Sequence, residues 1–238
     1  FEYQIVGNGS PTIVFLNGNG MNFKISWEKV VESIKDSYTC FQYNSDGIGK
    51  TSRPKIDQTG AIVVKTVMAL LENLNLQPPL ILVGHSSSGL LANLIARLYP
   101  DKVAGIVFVD SSHPEQFKLK IPKGTFLSNL LLKIICLFKR RNEISHFDKI
   151  ESLVNDAGIF PQVPTYVLTG TKLSLGMSKE SMEEWKGLQR KLCCLSQINS
   201  HVMSDKSGHF ISYSEPDLVV QAIEWVVKET GLRENMFA

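Results

Sequence analysis

The sequence predicts a single α/β domain built on a mainly parallel sheet, with helices on both faces and a short helical insertion. Three observations predict it. Short apolar runs alternate along the chain with segments whose apolar residues recur at helical spacing. Several of the runs, among them Leu80–Val83 and Val103–Val109, are continuously apolar, as strands covered on both faces of a parallel sheet are. The runs ending at Leu16, Val83 and Val109 each pass at once into small or polar residues, and the carboxyl ends of such strands are where open α/β sheets build their sites.

Composition agrees with this class and removes others. With 238 residues, 43% of them hydrophobic and 20% charged, the chain can bury a large core within one domain. No internal repeat or low-complexity linker divides it, so residues 1–238 are taken as one unit. A formal net charge of +2 supplies no field to attract nucleic acid. Cys40, Cys136, Cys193 and Cys194 are scattered apart from one adjacent pair and lack metal-ligand spacing, so no metal is expected and a reduced, cytoplasmic chain is. No signal-peptide pattern opens the sequence and no apolar run reaches the roughly 18 residues of a spanning helix, so no stable membrane insertion is expected.

In chain order, Glu2–Val6 is a first strand, closed by the turn residues Gly7-Asn8-Gly9-Ser10-Pro11, and Thr12–Leu16 is a second strand adjacent to it. The loop Asn17-Gly18-Asn19-Gly20 follows, its glycines able to turn backbone N–H groups toward an anion or simply to make a strand-to-helix turn. Ser26–Ile34 has helical spacing with Trp27, Val30, Val31 and Ile34 on one face, and Tyr38–Tyr43 reads as a strand. Asp46–Ser52 looks like a phosphate loop but lacks its first glycine and runs into Arg53-Pro54, so it is taken as a structured surface loop. Thr59–Leu74 is a helix expected to bury Ile62, Val63, Val67, Leu70, Leu71 and Leu74.

The central stretch is Leu80-Ile81-Leu82-Val83-Gly84-His85-Ser86-Ser87-Ser88-Gly89-Leu90-Leu91, a strand, a sharp turn and then a helix running to Tyr99. Ser86 on that turn stands beside the positive end of the helix, where both a nucleophile and its oxyanion are well placed. The stretch matches G-x-S-x-G except that Ser88 occupies the last glycine position and Gly89 comes one residue later. Val103–Val109 is the next strand and ends at Asp110. From Ser111 to Gln162 the strand rhythm lapses, which indicates an insertion with helices of its own at about 111–162. Its most apolar part, Thr125–Phe138 followed by Lys139-Arg140-Arg141, reads as a lid helix lining an apolar acyl pocket, as an interfacial membrane contact, or as a helix packed on the domain. Pro164–Thr169 is a strand, Ser181–Leu192 a helix, Ile198–Met203 the last strand, and Leu218–Val227 a closing helix after Pro216.

The glycine loop after an early strand, the Ser86 turn after the central strand, and Gly208-His209 before a Pro-led helix together resemble the α/β-hydrolase family over nearly the whole chain. Val83-Gly84-His85-Ser86, Arg97-Leu98-Tyr99-Pro100 and Val107–Pro114 are especially similar to serine esterase-like members. The resemblance implies Ser86 as nucleophile and His209 as base, with an imidazole able to act as base and then acid near neutral pH. His85, His113, His146 and His201 lack the base's context, and His85 is expected to turn away from it. The family's usual acid position is empty, since Thr171–Lys179 contains no Asp or Glu. Some members carry the acid at the end of the strand after the elbow helix, which is Asp110 here; Asp205 and Glu180 are the rivals. The resemblance also assigns the oxyanion hole to the backbone N–H groups of Asn19 and Ser87. The expected activity is cofactor-independent cleavage of a carboxylic ester or related small acyl compound. The alternative is a hydrolase-fold binding or sensor protein, suggested by Ser88, Asn17 and the displaced acid.

Overall fold

The computed structural model describes residues 1–56, 58–118, 147–173 and 178–232. Strands β1 (Tyr3–Val6), β2 (Thr12–Leu16), β3 (Thr39–Tyr43), β4 (Leu80–His85), β5 (Val103–Val109), β6 (Thr165–Gly170) and β7 (Asn199–Ser204) form, among the described residues, one seven-stranded sheet in the order β1-β3-β2-β4-β5-β6-β7. Every pairing is parallel except β1 against β3, which is antiparallel. The first two strands are therefore not neighbours, contrary to expectation. The hydrophobic pattern specifies that both are strands, but β3 enters between them and pairs with one edge of each.

Helices α1 (Phe23–Ile34), α2 (Gly60–Asn73), α3 (Ser88–Leu98), α4 (Phe147–Asp156), α5 (Lys179–Cys193), α6 (Ile211–Ser214) and α7 (Pro216–Glu229) flank the sheet. Side chains that alternate along a strand point to opposite faces, so each central strand feeds two cores. Ile13, Phe15, Ile81, Val83, Val107 and Val109 face Trp27 and Val30 of α1 and Ile223 and Val226 of α7. Val14, Leu16, Leu82 and Phe108 face α2 and α3 instead. Burial of both faces explains why β2 and β4 contain no exposed position.

Helix starts follow their capping residues. Asn22 accepts from the Lys24 N–H and Thr59 from the Ile62 N–H, which starts α1 three residues before the apolar spacing does. The buried stripe of α2 is Val64, Val67, Met68 and Leu71, rotated from the expected one; Val63, Leu70 and Leu74 are half-buried at its margin. Nearly every residue of this helix's inner half is apolar, so the pattern alone does not say which way it faces. Helix α4, within the expected insertion, packs on α2 and α3 and buries Ile150 and Val154 in the main core. Thr125–Phe138 lies outside the described residues. No helix among the described residues is long and apolar enough to cross a membrane.

Candidate active site

The carboxyl ends of β2, β4, β5 and β6 and the loop after β7 meet at one edge of the sheet. After β4 the chain reverses through Ser86, whose φ of +54° is a left-handed conformation that non-glycine residues rarely adopt. The turn is held on both sides: the Ser86 N–H donates to the Val109 carbonyl, and the Ser86 carbonyl accepts from the N–H groups of Gly89 and Ser112. Gly89 must be glycine, because a Cβ there would lie 2.3 Å from that of Ser111. Ser88 packs beside it and donates its hydroxyl to the Asn17 carbonyl, so the position that departs from the elbow pattern ties the elbow to the glycine loop.

Asn17 in turn donates Nδ2 to the Tyr43 carbonyl at 2.6 Å and accepts the Trp27 indole N–H at 2.7 Å, so its buried amide joins the ends of β2 and β3 to α1. Gly18 approaches the elbow so closely that a Cβ would sit 2.8 Å from His85 Nδ1. The structure brings Asn19 and Ser87 together. Their arrangement holds one difference, in that the Asn19 backbone N–H donates to the Ser87 hydroxyl at 3.0 Å. A small cavity of about 40 Å³ opens beside this pair, lined by Asn19, Tyr43, Asp46, Val67, Ser87 and Leu91 among others. Burial raises the Asp46 carboxyl above the usual carboxylate range.

His209, Ser86 and Asp110 form a continuous chain. Asp110 is an acceptor, so the His209 Nδ1–H donates to its Oδ2 at 2.7 Å, which leaves Nε2 to accept from the Ser86 hydroxyl at 2.9 Å. The Asp110 side chain is only 5% exposed and that of His209 39%, so the carboxylate is shut in while the imidazole reaches the surface. Asp110 also has positive φ, +42°, at the end of β5. Its Oδ1 accepts from the Gly170 N–H at 3.1 Å and from Trp185 Nε1 at 2.9 Å. The rivals stand elsewhere. Asp205 is exposed on the turn after β7, and Glu180 is in the first turn of α5, where its own backbone N–H and the Ser178 hydroxyl hold its carboxyl below the usual range.

Of the other histidines, His113 Nδ1 accepts the Glu115 N–H, His201 bonds Thr169 Oγ1, and His146 lies outside the described residues. His85 does not reach Ser86, but it is not remote. Its Nε2–H donates to the His209 carbonyl at 2.9 Å, and its ring centroid is 4.8 Å from that of His209. Burial, followed by the neighbouring His209, lowers its pKa to about 4, so it is neutral near pH 7. Trp185, Gly170 and His85 are the site residues that sequence reading missed. The only local signal was His85 next to the elbow serine.

An uncharacterized protein of Bacillus subtilis, YqjL, is 25% identical over 219 residues, 91% of this chain and 83% of its own length. A pimeloyl-[acyl-carrier protein] methyl ester esterase from Wigglesworthia glossinidia brevipalpis is 30% identical over 112 residues, 47% of this chain and 40% of the esterase. Among solved structures, a thermophilic esterase from Thermogutta terrifontis superimposes with a TM-score of 0.66 at 16% identity, over 96% of this chain and 93% of that one. Other relatives are named as an enol-lactonase and an epoxide hydrolase. The model of the alpha/beta hydrolase fold matches residues 11–131, half of the sequence and the part that carries the glycine loop, the elbow and Asp110. The chain belongs to the α/β-hydrolase family.

Proposed function

We propose that this protein hydrolyses a carboxylic ester or a related acyl compound through an acyl-enzyme intermediate on Ser86. The observation that carries the reading is the unbroken relay Ser86 Oγ, His209 Nε2, His209 Nδ1, Asp110 Oδ2, with both hydrogen bonds under 3 Å. Ser86 Oγ attacks the acyl carbon as its proton passes to His209 Nε2, and Asp110 stabilises the imidazolium. His209 then gives that proton to the departing alkoxide. In the second half a water, deprotonated by His209, attacks the acyl carbon, and the proton returns to Ser86 as the acid leaves. The tetrahedral oxygen is received by the backbone N–H groups of Ser87 and Asn19, which in mechanisms of this kind are worth several kcal/mol against the developing charge. Because the Asn19 N–H is engaged by the Ser87 hydroxyl, that hydroxyl must rotate away before the second donor is available.

The engaged Asn19 N–H favours one other reading, a binding protein with little turnover. A fluorophosphonate probe separates the two. Wild type is expected to be labelled, and Ser86→Ala and His209→Ala to abolish labelling. An unlabelled wild type would remove the hydrolase reading in favour of binding. For a labelled protein, p-nitrophenyl esters of rising chain length then define the acyl group.

A further inference from the structure

The segment after β6, where the family's acid usually stands, carries no carboxylate through Lys179. The described residues on either side of it supply donors. Gly170, the last residue of β6, and Trp185, on α5, both direct an N–H at Asp110 Oδ1, at 3.1 and 2.9 Å, while Oδ2 is left to His209. The two oxygens thus have separate partners, an anchored one and a working one. Trp185 is half-buried and belongs to neither of the two apolar clusters among the described residues, although Leu192 and Cys193 of the same helix do. Its indole has one donor and no acceptor, so toward Asp110 it can only donate.

We infer that Trp185 is a positioning residue for the acid: its indole N–H fixes the plane of the Asp110 carboxylate so that Oδ2 meets His209 Nδ1. The inference rests on the Ser86–His209–Asp110 reading. Loss of the indole donor has two consequences. The carboxylate keeps only the Gly170 N–H on Oδ1 and gains freedom to rotate, which lowers turnover. The direction of the Asp110–His209 hydrogen bond is also less fixed, which the Nδ1 proton of His209 reports. A residue that only packed would alter stability and leave both properties unchanged.

The test compares Trp185→Phe with two isosteres introduced at position 185, a benzothienylalanine that replaces the indole N–H by sulfur and 7-azatryptophan, which retains the N–H. The first two are expected to lower kcat by about tenfold with KM nearly unchanged. The downfield Nδ1 proton resonance of His209, read without substrate, should move in both. The azatryptophan protein should behave as wild type in these measurements. A benzothienyl variant with wild-type kcat and His209 proton resonance overturns the inference, even if Trp185→Phe proves unstable. Absence of fluorophosphonate labelling in wild type would instead overturn the nucleophile reading, and the proton resonance would still decide whether Trp185 governs the Asp110–His209 bond.

Discussion

Two turns at the carboxyl edge of the sheet, one after β4 and one after β5, share a backbone solution and treat their side chains in opposite ways. Each places a non-glycine residue at positive φ, Ser86 at +54° and Asp110 at +42°, directly after a parallel strand that is buried throughout in β4 and at every position but Ala104 in β5. The other such residue among those described, Asn75 at +55°, follows the end of α2, where asparagine commonly accepts that conformation. The two sheet-edge residues lack that explanation, and a strained backbone of this kind costs on the order of 1–3 kcal/mol where it is held by its surroundings. Ser86 is half-buried and among the described residues its hydroxyl bonds His209 alone, whereas Asp110 is buried and its carboxylate accepts from Gly170, Trp185 and His209. The contrast follows from their proposed chemistry. A nucleophile has to surrender a proton and advance on carbon, so few bonds can hold it; an orienting acid must stay in place with its charge intact, so several do.

The largest expected effect breaks the β5 side of this comparison. Asp110→Asn keeps an acceptor for the Gly170 and Trp185 donors, so the fold should survive by circular dichroism. Its amide, however, turns a donor toward His209 Nδ1 and favours the wrong tautomer, with a loss in kcat of about 10³- to 10⁴-fold. Near-normal turnover would make the turn after β5 a structural feature only.

A smaller effect sharpens the β4 side. His85, next to Ser86, has a native pKa of about 4 against an ordinary value of 6.5. Between those values the unfolded chain binds a proton that the native state refuses, so stability is flat above the window and falls as pH drops from 6.5 toward 4. The loss is on the order of 3 kcal/mol. Urea melts at pH 7.5 and 4.5 should show it, and His85→Gln should flatten that part of the dependence. The same pH dependence in the variant would show that His85 is not the residue that makes the elbow acid-sensitive.

The smallest expected effect concerns the departure within the elbow. Ser88→Gly restores the family pattern, yet it deletes the hydroxyl donated to the Asn17 carbonyl and adds backbone entropy to the unfolded chain. Stability should fall by about 1 kcal/mol, read as a decrease in Tm of a few degrees. An unchanged or higher Tm would mean that the serine contributes only its small size.

How much of this was legible in the sequence differs between the two turns. Around Ser86 the strand, the turn and the helix are consecutive, so a dozen residues contain the whole pattern. Asp110 could be named only because the usual acid segment is empty and the resemblance offers a second position. The donors that hold it lie 60 and 75 residues away, at Gly170 and Trp185, where no local spacing connects them to it. Ser88 illustrates the same limit at short range: its misfit is visible in the pattern, but its bond to Asn17 crosses 71 residues.

The sequence by itself therefore determined the α/β class, the positions of all seven described strands, the elbow and the histidine loop, because periodicity and turn chemistry act within a few residues. It did not determine the sheet order, in which β3 parts β1 from β2, or the face that α2 buries. Those, together with the meeting of His209 and Asp110 across 99 residues, were decided by tertiary structure. The physical reason is that strand pairing and charge contacts are selected by which surfaces meet when both cores close.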